Sequence, residues 1–455
     1  MNVVMVGPFG LRPRGTMSVR ALPMARALAA RGHTVTVLLP PWQNPEDSGQ
    51  SRKEGGVSIE NIPLPPPIPG LFHLLTALRL ARRTLALRPD VVHLFKPKAY
   101  SGLTHWLLAH LPRARRPRLV VDTDDWEGPG GWNDLALYNL AQKRFFTWQE
   151  RWGLTHADAV TVASRTLESL VWALGVPPEQ VFYVPNGVPE TRRRQETGGK
   201  GQEARSKKHE TRNTKYVTRN TKQGARHEET QTYADLSRTL HPAPCILLYT
   251  RFFEFPVSRV IEVLQRVRER VPAARLLVVG EGLFGEEEDL LRLAAESGLT
   301  VVNHAARNTD HASRITFHVS RLTFHVSRFT HDVTYAGWPV DLPACFAQAT
   351  LAIYPFDDTL VNRTKCAVKL LELLAAGVPV VAEAVGENRE MIRHGETGWL
   401  VEPGDVDAFT QAVARLLEDA PLRQRLGQAA ARDVQERRAW GRLVERVETA
   451  YDIAS

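Results

Sequence analysis

Cysteine is scarce: Cys245, Cys345 and Cys366 are the three in 455 residues. Three cysteines so spaced cannot build a disulfide framework or a zinc site, and a reducing, cytoplasmic setting is expected. No run reaches the roughly 18 apolar residues that would cross a bilayer. The opening segment MNVVMVGPFG has no basic leader and no small-residue cleavage site, so it reads as a first strand rather than a signal peptide. The fingerprint G-x-G-x-x-G is missing from the first strand-to-helix loop, which argues against a nicotinamide enzyme. What remains is an ordinary globular composition, 43% hydrophobic, 24% charged and 8% aromatic, which excludes collagen-like, coiled-coil and wholly disordered chains. The length suggests two or three domains.

A net charge of +8 would suggest a nucleic-acid partner if it were spread over one face. Instead, residues 190–240 hold 13 Lys/Arg against 7 Asp/Glu, and residues 305–333 hold 4 against 2. Those two segments account for the whole excess. The other 375 residues carry 41 bases and 41 acids, so no nucleic acid is expected. Both segments repeat with a period of seven, as in Ser313–Val319, Ser320–Val326 and Ser327–Thr330. Strong helix formers are too few for a coiled coil, and copies too few for a solenoid. The expectation is two insertions into surface loops: a basic low-complexity linker at 190–240 and a heptapeptide-repeat insertion at 305–333. The histidines of the repeat follow its period, and nothing completes a metal site around them.

Outside those segments strands alternate with helices. Strands are expected at Asn2–Gly7, Thr34–Leu39, Val91–Phe95, Leu119–Asp122, Ala159–Ala163 and Val181–Pro185, then at Cys245–Tyr249, Arg275–Gly280, Val333–Gly337, Leu351–Tyr354 and Pro379–Ala382. Helices are expected at Ser18–Arg31, Trp132–His156, Val257–Arg270, Glu286–Ser297, Ala367–Ala376 and Asp405–Glu418. The pattern predicts two α/β, doubly wound lobes, an N-terminal one over 1–187 and a C-terminal one over 241–434, with the site beyond the carboxyl ends of the strands, in the cleft between them.

Four stretches carry candidate chemistry. The loop Gly7–Thr16 leads into a helix whose amides could attract an anion, or it is an ordinary loop. Asp122, Asp124, Asp125 and Glu127 follow a strand; they suit sugar hydroxyls, a base or a metal, or merely cap a helix. Arg251 follows another strand and could fork onto phosphate or pair with Glu254. In Thr364-Lys-Cys-Ala-Val-Lys369-Leu-Leu-Glu372, Lys369 and Glu372 share a helix face. A helix start with a lysine suits a diphosphate and the carboxylate suits ribose; the alternative is a plain i,i+3 ion pair. Finally, Leu71–Arg88 is apolar and basic: either a helix on an anionic membrane surface or a core-facing one with snorkelling arginines.

At these residues the chain resembles the retaining GT-B glycosyltransferases called glycosyl transferases group 1, a family 4-like group. The resemblance rests on Lys369-Leu-Leu-Glu372-Leu-Leu-Ala-Ala-Gly377-Val-Pro379-Val-Val381, on Gly386-Glu-Asn-Arg-Glu390 and on His394-Gly-Glu-Thr-Gly398 with Pro403-Gly-Asp405. Val160–Ser164, Val184-Pro-Asn186-Gly187-Val188, Leu276–Gly282 and Arg31–Thr36 add to it. It implies two Rossmann-like domains facing across a cleft and a last helix, within 435–455, that crosses back to the first domain. It implies transfer of a hexose from a nucleotide-diphosphate sugar to a hydroxyl acceptor, with retention, no metal and no further cofactor. Donor-binding residues would be Gly15, Arg251, Cys366, Ala367, Val368, Lys369, Glu372 and Glu390, with Asp124 and Asp125 catalytic. The acceptor, whether glycan, lipid or small molecule, is not readable. The location would be cytoplasmic, with peripheral contact at the inner face of the membrane an open option. Three departures stand out: Thr364 where the family often has a second Glu, Pro256 where it often has a Lys (with Arg259 nearby), and Asp124 where it often has a His. They leave room for a degenerate relative that binds nucleotide sugar without transferring it.

Overall fold

The computed structural model describes residues 1–68, 70–190, 243–305, 331–338 and 341–453. The expected insertions at 190–240 and 305–333 lie almost wholly outside those residues. The first lobe is built on β1 (Asn2–Val6), β2 (Thr34–Leu39), β3 (Ser51–Glu54), β4 (Val57–Asn61), β5 (Val91–Phe95), β6 (Arg118–Thr123), β7 (Ala159–Val162) and β8 (Val181–Tyr183). Their order in the sheet is β3-β4-β2-β1-β5-β6-β7-β8. All neighbours run parallel except β3 and β4. Runs such as Val3–Val6 and Val91–Phe95 are buried from end to end, as strands covered by helices on both faces must be. The β3–β4 hairpin was not evident in the sequence. Its turn is Gly55-Gly56, both at positive φ, the backbone that a tight two-residue hairpin requires.

The second lobe has β9 (Cys245–Thr250), β10 (Arg275–Gly280), β11 (Val301–Asn303), β12 (Val333–Tyr335), β13 (Leu351–Tyr354), β14 (Val380–Glu383) and β15 (Trp399–Val401). They form an all-parallel sheet in the order β11-β12-β10-β9-β13-β14-β15.

The helices of the first lobe are α1 (Leu22–Ala30), entered through a π turn at Met17–Ala21, α2 (Leu71–Ala86), α3 (Ala99–Ala109), α4 (Trp132–Leu135), α5 (Leu140–Thr155) and α6 (Arg165–Ala173). Those of the second are α7 (Val257–Arg270), α8 (Glu286–Glu296), α9 (Leu342–Gln348), α10 (Leu360–Thr364), α11 (Val368–Ala375), α12 (Asn388–Met391), α13 (Val406–Glu418) and α14 (Ala420–Arg438); α15 (Trp440–Ile453) closes the chain.

Two expectations need correction. The single helix at Trp132–His156 is two, α4 and α5. Asn139 starts the second with a reciprocal cap, its side chain accepting from the Gln142 amide while the Gln142 side chain accepts from the Asn139 amide. Such a box makes a new start more favourable than a continuation. The final helix begins at Trp440, because Ala439 is extended and residues 435–438 finish α14. From there α15 enters the core of the first lobe: Trp440, Leu443, Val444, Val447 and Tyr451 pack with Val3, Met5 and Leu28. The Tyr451 hydroxyl lies 2.9 Å from His93 Nδ1. The segment that ends the first lobe's sheet lies beside the segment through which the chain returns to that lobe. Val188 N donates to Arg438 O at 2.9 Å and Trp440 N to Val188 O at 3.0 Å.

Among the described residues no helix is long and apolar enough to cross a membrane. Helix α2 buries Thr76, Ala77, Leu80, Ala81 and Thr84. Arg83 pairs with Glu60 at 2.7 Å, while Leu71 and Leu74 are exposed.

Candidate functional site

The carboxyl ends of the two sheets face each other across a cavity of about 900 Å³. The second lobe contributes the end of β9 (Tyr249, Arg251, Phe253, Glu254), Trp338, and the entry into α11, Lys365 to Lys369 with Glu372. Crossovers in a parallel sheet deliver loops to this edge, which is why strand-following residues converge there.

Cations dominate this wall. Lys365 Nζ lies 2.7 Å from Glu254 Oε1. Burial works to raise Glu254, but Lys365 and Lys369 outweigh it and hold the carboxyl below its usual range. Lys369 sits about 5.5 Å from the ring centres of Tyr249 and Trp338. Burial, with Arg251 and Lys365 close by, brings its ammonium down to about 7 despite Glu254 and Glu372. Cys366, Ala367 and Val368 line the cavity at the start of α11, where the first amides have no partner within the helix and the dipole is positive. Glu372 accepts from the Tyr249 hydroxyl at 3.1 Å and forms an ion pair with Arg14 from the opposite lobe.

The first lobe answers with acids and two lysines. Lys96 Nζ stands 2.7 Å from Asp125, 3.5 Å from Asp124 and 3.6 Å from Glu127. Lys98 holds Glu127 at 2.5 Å and lies over the rings of Tyr138 and Phe146. Burial with Asp125 and Asp122 nearby lifts Asp124 above the usual carboxylate range, against the pull of Lys96. Asp125 goes the other way: burial opposes it, but its bond to Lys96 prevails. Asp124 also accepts from Thr16 Oγ1 at 2.6 Å. Asp122, the first acid of the run, turns into the core, where Arg20 grips it at 2.8 and 2.6 Å and Thr161 donates at 2.6 Å.

The structure thus brings Gly15, Asp124, Asp125, Arg251, Cys366, Ala367, Val368, Lys369 and Glu372 to one cavity. It does not bring Glu390 there. That residue is on the exposed side of α12, and the inward place is taken by Glu387, which binds the lobes together: it accepts from Arg165 N and from the Tyr183 hydroxyl, both at 2.8 Å. Glu254 pairs with Lys365 and not with Arg251. Arg259 is taken by Asp357 and Glu383, and the cation beside Arg251 is Lys369. Sequence reasoning missed Lys365, Lys96, Lys98 and Arg14. A signal existed for three of them: Lys96 and Lys98 follow β5 closely, and Lys365 stands in the segment that leads into α11. Cys366 is more than a cavity residue, since its carbonyl accepts from Asn186 Nδ2 at 2.7 Å and its sulfur from Asn186 N at 3.1 Å. Arg20 reaches the same Asn186 at 3.3 Å.

Comparison with known families assigns both halves. The profile of the Glycosyl transferase 4-like domain matches residues 15–187, and that of Glycosyl transferases group 1 matches residues 318–419. The chain is a group 1 glycosyltransferase. Among curated relatives, this glycosyltransferase is 24% identical over 459 aligned residues to the GDP-mannose-dependent alpha-(1-6)-phosphatidylinositol monomannoside mannosyltransferase of Mycobacterium tuberculosis, with 98% of this chain and 96% of that one covered. Among solved structures it is similar to sucrose-phosphate synthase from Thermosynechococcus elongatus, with a TM-score of 0.63 at 18% identity over 99% of this chain and 98% of that one. It is also similar to Anabaena HepE in complex with UDP-glucose, with a TM-score of 0.61 at 14% identity over 98% of both. The two solved structures share its GT-B fold of two Rossmann-like domains.

Proposed function

We propose that this glycosyltransferase moves a hexose from a nucleoside-diphosphate sugar to a hydroxyl acceptor, with retention at the anomeric carbon and without a metal. One observation carries the reading: Arg251, Lys365, Lys369 and the start of α11 converge on one wall of the cavity, with Glu372 one turn further. Cations and free amides suit a diphosphate and can meet the charge that grows on it as it leaves. The carboxylate of Glu372 suits ribose hydroxyls. On the facing wall Asp124 is the better proton acceptor, since Asp125 is committed to Lys96 and a base works best when poised nearer the working pH. In the step proposed, the bond from the anomeric carbon to the diphosphate oxygen breaks and a bond to the acceptor oxygen forms on the same face. The hydroxyl proton passes to Asp124. Both UDP and GDP deserve trial, since one relative is named for GDP-mannose and one structural neighbour holds UDP-glucose.

Thermal shift tests this. UDP or GDP should raise the melting temperature, and Arg251→Ala or Glu372→Ala should abolish the rise; no stabilisation by any nucleoside diphosphate would overturn the reading. A second reading, binding without transfer, is favoured by Thr364. Its buried hydroxyl donates to Val361 O at 3.0 Å, so it supplies no carboxylate to the cavity. Release of UDP or GDP from the sugar nucleotide above the level of Asp124→Asn supports transfer; equal release supports the second reading.

A further inference from the structure

The first-lobe wall of the cavity is unlike the charged floor beneath it. Phe9, Trp42, Tyr100, Leu103, Tyr138 and Phe146 line it. From the inner pair an aromatic series runs outward along α5. Ring centres are 5.1 Å apart for Tyr138 and Phe146, 5.8 Å for Phe145 and Phe146, and 5.8 Å for Phe145 and Trp148. Tyr138, Phe145 and Phe146 line the cavity, and Phe145 is 40% and Trp148 45% exposed. In the same stretch Leu137 is 91% and Leu140 64% exposed. The break between α4 and α5 produces this arrangement, because it leaves Leu137 in solvent next to the cavity-lining Ala136 and Tyr138.

We infer that the acceptor is an amphiphile: its hydroxyl-bearing head sits at Asp124, and its apolar tail leaves the cavity along Tyr138, Phe146, Phe145 and Trp148, between Leu137 and Leu140. The inference rests on the donor and acceptor sides proposed above, and adds the acceptor's class. Four large apolar side chains left uncovered within twelve residues, at the mouth of a substrate cavity, mark a binding surface. An oligosaccharide would also stack on rings, but it needs polar partners for its hydroxyls. Of the polar groups along this wall, Lys98 is engaged on Glu127 and the Gln142 side-chain oxygen in the cap of α5. The two leucines offer no planar face to a sugar and suit an alkyl chain.

The test uses n-alkyl β-D-glucosides from hexyl to decyl, each kept below its micelle concentration, titrated calorimetrically into the full-length protein saturated with UDP or GDP. Affinity should rise about threefold per added methylene, as expected for a partly buried chain. Replacing Leu137 and Leu140 together by Ser, or Phe145 and Trp148 together by Ser, should cut the rise to below about 1.5-fold per methylene, while the nucleotide melting shift stays intact. An affinity independent of chain length overturns the inference, as does a slope that both double variants retain. Tighter binding of maltotriose than of decyl glucoside would assign the wall to an oligosaccharide instead. Binding to phosphatidylglycerol vesicles without any chain-length dependence would make the surface a membrane contact and not a tail channel. Because nucleotide stabilisation is read on the same samples, its loss in the unaltered protein would strike the donor reading alone.

Discussion

Raising the pH from 7 to 9 should weaken nucleoside-diphosphate binding about 50-fold through one residue. Burial and the neighbouring cations Arg251 and Lys365 bring the Lys369 ammonium down to about 7. A diphosphate laid against it supplies the missing counter-charge and restores the proton. Binding therefore takes up a proton wherever Lys369 is neutral beforehand. The charged fraction is about one half at pH 7 and about one hundredth at pH 9, a ratio near 50, or about 2.3 kcal/mol. The window starts at pH 7 because the ligand's own last phosphate ionisation lies near 6. Two other groups bordering the lysine stay outside the window, since burial pushes Cys366 up to about 12 and Tyr249 higher still. Calorimetry in two buffers of different ionisation enthalpy should register uptake of about 0.9 proton per site at pH 8. Lys369→Arg should flatten the profile, since a guanidinium keeps its charge, and Lys369→Gln should bind weakly throughout. A flat profile in the unaltered protein, or an unchanged slope in Lys369→Arg, would refute the reasoning.

Two further perturbations test the surrounding architecture. Arg14 occupies the carboxylate of Glu372; on the proposal that Glu372 takes the ribose, Arg14→Ala should tighten nucleotide binding by up to about fivefold, the scale of a half-exposed ion pair. Weaker binding would make Arg14 a donor contact instead. Arg20 and Asp122 are a fully buried pair. Arg20→Met strands a carboxylate and should cost about 3–5 kcal/mol, lowering the calorimetric transition by roughly 6–20 °C; an unchanged transition would mean that the pair contributes nothing net.

The alternation of strand and helix was legible because a parallel strand covered on both faces must be apolar throughout, and runs such as Val3–Val6 leave little choice. The edge strands β3 and β11 were not, since a strand at the edge of a sheet tolerates Arg, Lys and Asn, and β15 was not because three apolar residues are too few to show a period. The break at Asn139 was written as Asn139-x-x-Gln142 but lost against the aromatic spacing around it. In the site, Asp124, Arg251, Lys369 and Glu372 were legible because each follows a strand or opens a helix at the ligand-binding edge. Glu390 was not separable from Glu387: α12 is a single turn that Glu387 precedes, and only packing decides which acid turns inward. The Arg14–Glu372 pair joins segments 358 positions apart, which no local pattern reveals.

The paired segments at Val188 and Ala439 set the topology of the molecule. The described residues of the second lobe form a cassette seated in a host, and the points where the first lobe's chain leaves off and resumes lie a hydrogen bond apart. A nucleotide lobe from another relative could be grafted as one continuous block through that single spot. The converse cut fails: a chain stopped at residue 190 would forfeit Trp440, Leu443, Val444, Val447 and Tyr451 from its own interior, and would need Trp440–Ile453 returned as a separate peptide to become whole.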